Sequence, residues 1–268
     1  MSGEVRRSHF AGRSSAQGKF SDRVGRLSAN TEFTRADSRE QREAIFRLRY
    51  DAYRREGAIA PNPERSFSDP DDDSDNAYLF GLYVDGELAS SLRLHIACKD
   101  NPHFPTLEVF PDYLQPQLDA GKVLVDSTRF VADERLARVH RGLPYVTLRL
   151  CVLAAEYFGA DQLLAPVRVE HQAFYRRAFG HQVVCEARPY PQLAKPICLM
   201  TVHFPSVRDD WYRRYPFFHS TVFERRRLFE RRPLAVASAA APGTEAASPS
   251  EPAEPLELRR PFLELGAA

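Results

Sequence analysis

The chain has 268 residues, 43% of them hydrophobic, and a formal net charge of +1. This is enough for one domain of roughly 200 residues with tails, and the balanced charge argues against nucleic acid as a partner. The four cysteines are scattered, so the sequence predicts neither a zinc site nor a disulfide framework. We expect reduced thiols in a cytoplasmic protein, because residues 1–12 lack the apolar core of a signal peptide.

Both ends of the chain differ in composition from its middle. Residues 1–30 are rich in Ser, Arg and Gly and show no periodicity, and residues 234–268 are dominated by Ala, Pro, Ser and Glu. Such segments bury too little apolar surface to offset the entropy of ordering. We therefore predict a disordered arm at 1–30, one folded domain at 31–233 and a disordered tail at 234–268.

The first long helix is predicted to begin after Ser38, which is followed by Gln41 at the capping-box position. It runs to about Arg55 and places Arg49 beside an apolar stripe. The following loop, residues 57–75, contains the acidic run 71–75. Carboxylates suit a hard cation, but the run lacks the Gly and Glu of an EF-hand loop, so we assign no metal site.

Three strands with buried charges form the predicted centre of the domain. Residues 78–84 and 88–95 are joined by an Asp-Gly turn, which is typical of a hairpin, and a third strand covers 122–132. Arg93 lies in the second strand, and Asp126 and Arg129 lie in the third. Because an unpaired buried charge is costly, we expect these side chains to pair with each other or with a ligand.

The rest of the domain alternates helices and strands. Helices are predicted at 143–158 and 170–179, strands at 162–167, 181–187 and 198–204, and an aromatic, arginine-rich helical segment broken at Pro216 covers 207–232. This order predicts an α/β sandwich with a mixed sheet. A Rossmann fold is excluded, because no Gly-x-Gly-x-x-Gly follows a strand.

The element order, with a basic turn opening the helix after the central strand, resembles the GNAT acyltransferase superfamily. The resemblance implies a mixed, mostly antiparallel sheet flanked by helices. In such folds the helix N-terminus presents N–H groups to a phosphate of the cofactor, and Arg138, Arg141 and Gly142 stand there. Arg141 occupies the place of the first Gly of the usual turn. The segment 173–180 looks like the Phe-Tyr helix of the family, and Tyr175 would face the pantetheine thiol.

A closer resemblance is to the N-acyl amino acid synthases of the FeeM type and to the related acyl-homoserine-lactone synthases. It covers about residues 40–205 and rests on four pieces, which are 48–57, Asp72 with Asp75, 86–94 and 126–130. The lactone synthases have Glu in place of Asp126 and a Trp after the first helix, and this chain has neither. Both departures favour the amino acid synthases.

The resemblance implies an N-acyltransferase that joins a long-chain fatty acyl group to the α-amine of an amino acid. The donor would be acyl carrier protein or coenzyme A, used as a co-substrate, with no permanently bound cofactor. Two alternatives stay open. One is a lactone synthase, which would require S-adenosylmethionine, and the other is a non-catalytic module that binds acyl groups or lipid.

The resemblance also assigns roles to residues. Backbone N–H groups near Phe130 and Val131 would stabilise the oxyanion, and Asp126 would hold or deprotonate the amine. The alternative is that Asp126 pairs with Arg129 or Arg93 to hold the sheet. Arg93 and Arg129 are predicted to be catalytic together with Asp126, and one of Arg49, Arg93 and Arg129 could bind the carboxylate of the amino acid. The predicted substrate-binding residues are Arg49, Tyr53, Asp72 and Asp75. For the arginines and their aspartate partners, a structural brace is the favoured alternative.

The arginine-rich segment 207–232 has two interpretations. It forms either a lid over the acyl chain, with a basic rim for acidic acyl carrier protein or for anionic lipid at a membrane surface, or a helix pair packed on the sheet. The altered turn at Arg141 favours the carrier protein, because a carrier-protein donor has no adenosine diphosphate moiety to bind.

Overall fold

The computed structural model describes residues 4–231, with side chains described from residue 17 onward. A seven-stranded sheet has the order β1-β2-β3-β4-β5-β7-β6, and all neighbours are antiparallel except β4 and β5. The mixed, mostly antiparallel α/β sheet predicted from the sequence is therefore confirmed. The strands are β1 (Thr31–Arg35), β2 (Ala77–Val84), β3 (Glu87–Ala97), β4 (Leu124–Ala132), β5 (Gln162–Val167), β6 (Gln182–Arg188) and β7 (Ile197–His203).

Helices flank this sheet on both faces, and their ends follow local sequence signals. Ser38 and Gln41 form the predicted capping box, and Gly159 and Gly180 end their helices with φ of 63° and 72°. The helices are α1 (Glu4–Ala29), α2 (Arg39–Arg55), α3 (Pro105–Val109), α4 (Pro111–Asp119), α5 (Glu134–Val139), α6 (Leu143–Phe158), α7 (Gln172–Phe179), α8 (Phe204–Arg214) and α9 (Val222–Phe229). In the described part of the chain, no helix has the length and apolarity to span a bilayer.

Alternating residues of the strands supply two apolar layers, one for each face of the sheet. Leu79 of β2 packs with Ile45 of α2 on one face, whereas Phe80 and Leu82 join the main core that contains α6. This follows from the two-residue period of a strand, which points successive side chains to opposite faces. Helices α2 and α6 therefore cover opposite faces of the sheet at its centre.

The first helix corrects the prediction of a disordered arm at residues 1–30. Residues 4–29 are helical, Val24 is fully buried, and Phe20 packs edge-on against Tyr145 of α6 with a ring separation of 5.0 Å. Phe20, Val24 and Leu27 are spaced to share one face, but three apolar residues among many polar ones gave no visible periodicity. The helix is held by tertiary packing rather than by its own pattern. The predicted tail at 234–268 lies outside the described residues.

The C-terminal segment forms two helices separated at Pro216, as predicted. Both helices pack against the main hydrophobic core. Phe229 is 1% exposed and contacts Phe80 edge-on. Arg149 of α6 donates to the carbonyl of Phe217 at 2.6 Å and pairs with Glu224. Of the two interpretations of this segment, the packed helix pair matches the structure.

Candidate active site

The sheet opens between β4 and β5. Their parallel ladder runs only from the pair Leu124–Gln162 to the pair Asp126–Leu164. Just beyond it, the Ser127 hydroxyl donates to the carbonyl of Leu164 at 2.8 Å. From there the two strands have no ladder pairs, so the facing edge of β4 offers backbone groups that no strand satisfies.

A bulge in β4 lies beside this opening. Ser91 of β3 pairs with Val131, whereas Arg93 pairs with Thr128, so β4 carries one more residue than β3 over this stretch. Arg129, within the bulge, has a φ of +54°, which is uncommon for a residue with a side chain. A bulge bends its strand and interrupts the ladder locally, and the residues that follow it, Phe130 and Val131, line the cavity described next.

A cavity of about 590 Å³ fills the opening. Six of the predicted site residues line it, namely Tyr53, Arg129, Phe130, Val131, Arg138 and Tyr175. Its opposite wall is formed by Pro166 and Val167 at the end of β5, by Phe174 of α7 and by Tyr190 and Ile197 near β7. The strand edges, the apolar walls and a few charged groups make this the best candidate site for a ligand.

The predicted lid does not cover this cavity. Among the described residues, none from 207–231 lines it. Trp211 of α8 lines a second, small cavity, which shares Ser127 and Tyr175 with the first, and a separate cavity between α7 and α8. The C-terminal segment therefore forms part of the packed core and not a lid over the main cavity.

A cluster of buried charged side chains lies next to the cavity and includes Arg129 of its lining. Arg49 donates to both oxygens of Asp72 at 2.9 Å, and Arg93 donates to Asp72 at 3.0 Å and also to Asp69. Arg129 donates from Nε to Asp69 at 2.8 Å. The sequence predicted the three arginines and Asp72, but Asp69 takes the place expected for Asp75. Asp75 is exposed on the loop, because the chain turns at residues 70–73 and points it to solvent.

The charges of this cluster stabilise one another. Burial raises the pKa of Asp69, but Arg129 and Arg93 outweigh it and bring the value down to about 2. Burial lowers the pKa of Arg93, and the charges of Asp72 and Asp69 more than restore it. Burial also lowers the pKa of Arg129, and Tyr53 followed by Asp69 raises it above its ordinary value. Arg49 and Arg93 lie away from the cavity lining, so within this cluster only Arg129 reaches the cavity. The geometry of Arg49, Arg93 and Asp72 is that of a structural brace.

Asp126 is fully buried at the last ladder pair of β4 and β5. Both of its oxygens accept from the Thr106 hydroxyl, at 2.8 and 2.9 Å. It forms no hydrogen bond with Arg93 or Arg129 among the described residues, which excludes the direct pairing considered from the sequence. Burial raises its pKa to about 7, although Thr106 and Arg93 oppose the rise. Asp126 does not itself line the cavity, but the next residue, Ser127, does.

The N-terminus of α6 offers few free donors. The N–H of Leu143 donates to the carbonyl of His140 at 2.8 Å, Pro144 has no N–H, and the N–H of Tyr145 donates to the carbonyl of Gly142 at 3.0 Å. Gly142 is buried under α1, where an added Cβ would lie 2.8 Å from a methyl group of Val24. Of the residues predicted for this turn, Arg141 is exposed, and Arg138 lies at the end of α5.

The sequence analysis missed four residues that shape the site. They are Asp69, Thr106, Arg168 and Tyr190. The sequence Asp69-Pro70 before the acidic run has the pattern of a capped turn and was a usable signal for a carboxylate held in place. Thr106 lies in the five-residue helix α3, and Tyr190 lies between β6 and β7. Neither stretch is long enough to show a periodicity that marks a residue as buried.

Comparison with known proteins decides the family. The family model of the N-acyl amino acid synthase FeeM matches residues 44–203, which is more than half of the chain. The chain belongs to the FeeM family of N-acyl amino acid synthases. The resemblance inferred from the sequence is confirmed, and membership of the FeeM family makes the chain an N-acyltransferase.

The solved structure of FeeM shares this fold, and two further structures have lower structural similarity. The FeeM structure from uncultured soil microbes is 16% identical, covers 67% of this chain and 93% of its own, and has a TM-score of 0.56. An acyl-CoA N-acyltransferase from Pseudomonas aeruginosa is 21% identical over 64% of this chain and 98% of its own, with a TM-score of 0.44. The CoA-dependent acyl-homoserine lactone synthase BjaI is 15% identical over 69% and 89%, with a TM-score of 0.47. No curated protein matches the chain.

Proposed function

We propose that this FeeM-family protein transfers a long-chain fatty acyl group from an acyl thioester to the α-amine of an amino acid. The observation that carries the proposal is the cavity between β4 and β5, where the unpaired edge of β4 meets apolar walls. The oxygen of a thioester carbonyl at this edge would accept hydrogen bonds from backbone N–H groups. The acyl chain of the thioester would contact the apolar side chains of Val167 and Phe174.

The bulge in β4 supports the oxyanion role of Phe130 and Val131. When the amine nitrogen attacks the thioester carbon, a C–N bond forms and negative charge develops on the carbonyl oxygen. Fixed backbone N–H groups aimed at that oxygen lower the barrier, because they need no reorganisation during the reaction. The C–S bond then breaks, and the thiolate takes up a proton. Tyr175, which is buried against the cavity, is our candidate for the group beside that sulfur.

Asp126 is our candidate for the proton acceptor. A carboxyl group with a pKa of about 7 takes up a proton efficiently near neutral pH, whereas an ordinary exposed aspartate does not. Because Asp126 lies one residue behind the cavity wall, we propose that the amine proton reaches it through an ordered water at Ser127. Arg93 and Arg129 have a supporting role, since they hold Asp69 and the bulged strand in place.

Acyl carrier protein is the donor that the geometry favours over coenzyme A. The first turn of α6 uses its N–H groups internally and is covered by Val24, so it offers little to a diphosphate. Exposed arginines at the cavity mouth, including Arg138 and nearby Arg135, suit an acidic carrier protein. Such a donor would place the reaction in the cytoplasm.

A peripheral membrane contact is a further part of this proposal. Val222 and Phe223 are exposed at the start of α9, and Arg226 follows one turn later. An exposed apolar pair beside arginines is typical of a surface that contacts anionic lipid. Co-sedimentation with anionic vesicles tests this contact, and Phe223→Ser is expected to reduce it.

The decisive experiment is a transfer assay with defined donors. Purified protein is incubated with long-chain acyl carrier protein or acyl-CoA and a mixture of amino acids. We expect free thiol to be released and N-acyl amino acids to appear by mass spectrometry, more from the carrier protein. Product that forms only with S-adenosylmethionine would indicate a lactone synthase. If no donor and acceptor pair gives free thiol or product, the proposal is contradicted and a non-catalytic binding module is favoured.

A further inference from the structure

Arg168 follows β5 directly and lines one end of the cavity. Its side chain is only 17% exposed, and its Nη2 lies 2.8 Å from a carboxylate oxygen of Glu56, at the end of α2. The same Nη2 donates to Nε2 of His171 at 2.8 Å, and Nε lies 3.3 Å from Glu170. Nη1 has no partner among the described residues. A largely buried guanidinium thus keeps one donor group free beside the cavity.

The other cations of the cavity are placed or engaged differently. Arg129 is held by Asp69 through Nε and Nη2 and lies near the ring of Phe67. Arg138 pairs with Glu134 on the α5 side of the cavity, and Arg55 lies 4.0 Å from the same carboxylate. Arg168 and Lys195 are therefore the cavity-lining cations on the β5 side.

Lys195 adds a second positive charge near Arg168. It lines the same cavity, is exposed and forms no ion pair within residues 17–231. Burial and the charges of Arg168 and Lys195 lower the pKa of His171, which keeps this imidazole neutral and able to accept from Arg168. This end of the cavity therefore presents two cations and a neutral histidine beside the carboxylates of Glu56 and Glu170. The donors of the two cations suit a carboxylate ligand.

We propose that Arg168 binds the α-carboxylate of the acceptor amino acid, with Lys195 as a second cation. The proposal rests on the proposed function and names the residue that recognises its acceptor. Pro166 and Val167, just before Arg168, face the opened edge of β4 across the cavity. A carboxylate at Arg168 would therefore direct the neighbouring α-amine towards the edge at Phe130, where the thioester carbonyl is proposed to bind.

Glu56 competes for the same guanidinium. Its carboxylate holds Nη2 of Arg168, and its negative charge lies where an incoming carboxylate would be repelled. The proposal thus predicts opposite effects for substitutions of Arg168 and Glu56, which contact each other in the structure. Loss of Arg168 weakens acceptor binding, whereas loss of the charge of Glu56 strengthens it.

The test measures the KM of the preferred amino acid and of the acyl donor in Arg168→Gln, Arg168→Lys and Glu56→Gln. We expect Arg168→Gln to raise the KM of the amino acid about 10- to 100-fold, as for a lost charge-assisted contact, with the donor KM unchanged. Arg168→Lys should restore part of this loss. Glu56→Gln should lower the KM of the amino acid. Arg39→Gln, a change at an exposed arginine of α2, serves as the control.

A carboxylate-free amine, the decarboxylated form of the same acceptor, separates recognition from folding. Its KM should be the same for the wild type and for Arg168→Gln, because it has no group for the guanidinium. An unchanged amino acid KM in Arg168→Gln, or an equal loss with the carboxylate-free amine, would overturn the role of Arg168. A raised KM in Glu56→Gln would overturn the competition. If the wild type acylates no acceptor, the proposed function itself fails, and this inference fails with it.

Discussion

Arg129 Nε donates to Asp69 Oδ2 at 2.8 Å, although the two residues lie 60 positions apart in sequence. The hydrogen bond connects β4, where Arg129 lines the cavity, to the loop before β2. The other oxygen of Asp69 accepts from Arg93. One carboxylate therefore connects the bulged strand β4, the neighbouring strand β3 and the loop. This arrangement explains how a residue with positive φ is held at the edge of the opening.

Asp69→Asn is expected to destabilise the protein strongly. Removing its charge leaves Arg93 and Arg129 buried with too few counter-charges, and breaking a buried pair costs about 3–5 kcal/mol in the free energy of unfolding. Asp75→Asn is the matched control, because Asp75 is an exposed aspartate of the same loop and should change stability by less than about 0.5 kcal/mol. Urea unfolding followed by circular dichroism measures both. Equal effects of the two variants would show that the cluster does not hold the fold.

The buried carboxyl of Asp126 should make stability depend on pH. Its folded-state pKa of about 7 lies above the ordinary value of an aspartate, 3.8, so the folded state retains a proton that the unfolded state loses. Its contribution is fully present below about pH 4 and is lost as pH rises through 7, a change on the order of 4 kcal/mol.

Asp126→Asn should remove that dependence. We expect the wild type to lose more unfolding free energy between pH 5 and pH 8 than the variant does. Buried His95 and His181, whose pKa values are lowered to about 3 by burial, titrate equally in both proteins, so the difference isolates Asp126. Parallel curves for the two proteins would contradict a raised pKa. The same variant in the transfer assay tests whether Asp126 also takes the proton of the amine.

Helix α9 should contribute to global stability as part of the core. Phe229 is 1% exposed and packs against Phe80 and Phe158, so Phe229→Ala is expected to lower the free energy of unfolding by about 3–5 kcal/mol. Phe223, six residues earlier and 78% exposed, gives the control, since Phe223→Ala should be nearly neutral. A small effect of Phe229→Ala on the free energy of unfolding would instead indicate that α9 detaches from the core, as a lid would.

The elements of the fold were predictable because each carries a local signal. The capping box at Ser38, the glycines that end α6 and α7, and the Asp-Gly hairpin before β3 each satisfy the backbone at one position. Helix α1 carries no such signal. Its place is determined by contacts of Val24 with residues more than a hundred positions away, which no local pattern reveals.

The site was predictable only in part. Arg93, Asp126 and Arg129 stood out because charges are rare inside apolar strands, and the structure places all three beside or behind the opening. Their partners did not stand out. Thr106 lies in the short helix α3, which shows no periodicity, and Asp69 precedes a run of aspartates from which composition alone cannot select the buried one. These contacts join residues that are distant in sequence, and a local sequence pattern does not indicate which distant residues meet.

The contact between Gly142 and Val24 gives the last prediction. Gly142 has a φ of −84°, so alanine is allowed by the backbone there, but its Cβ would lie 2.8 Å from a methyl group of Val24. Gly142→Ala should therefore lower the free energy of unfolding by about 1–3 kcal/mol through overpacking. In a Val24→Ala background the same change should cost much less, because the clashing methyl group is absent. A double-mutant cycle from urea unfolding measures this coupling. Additive effects would mean that α1 does not pack on the start of α6, and Val24 would then not shield that turn from a diphosphate.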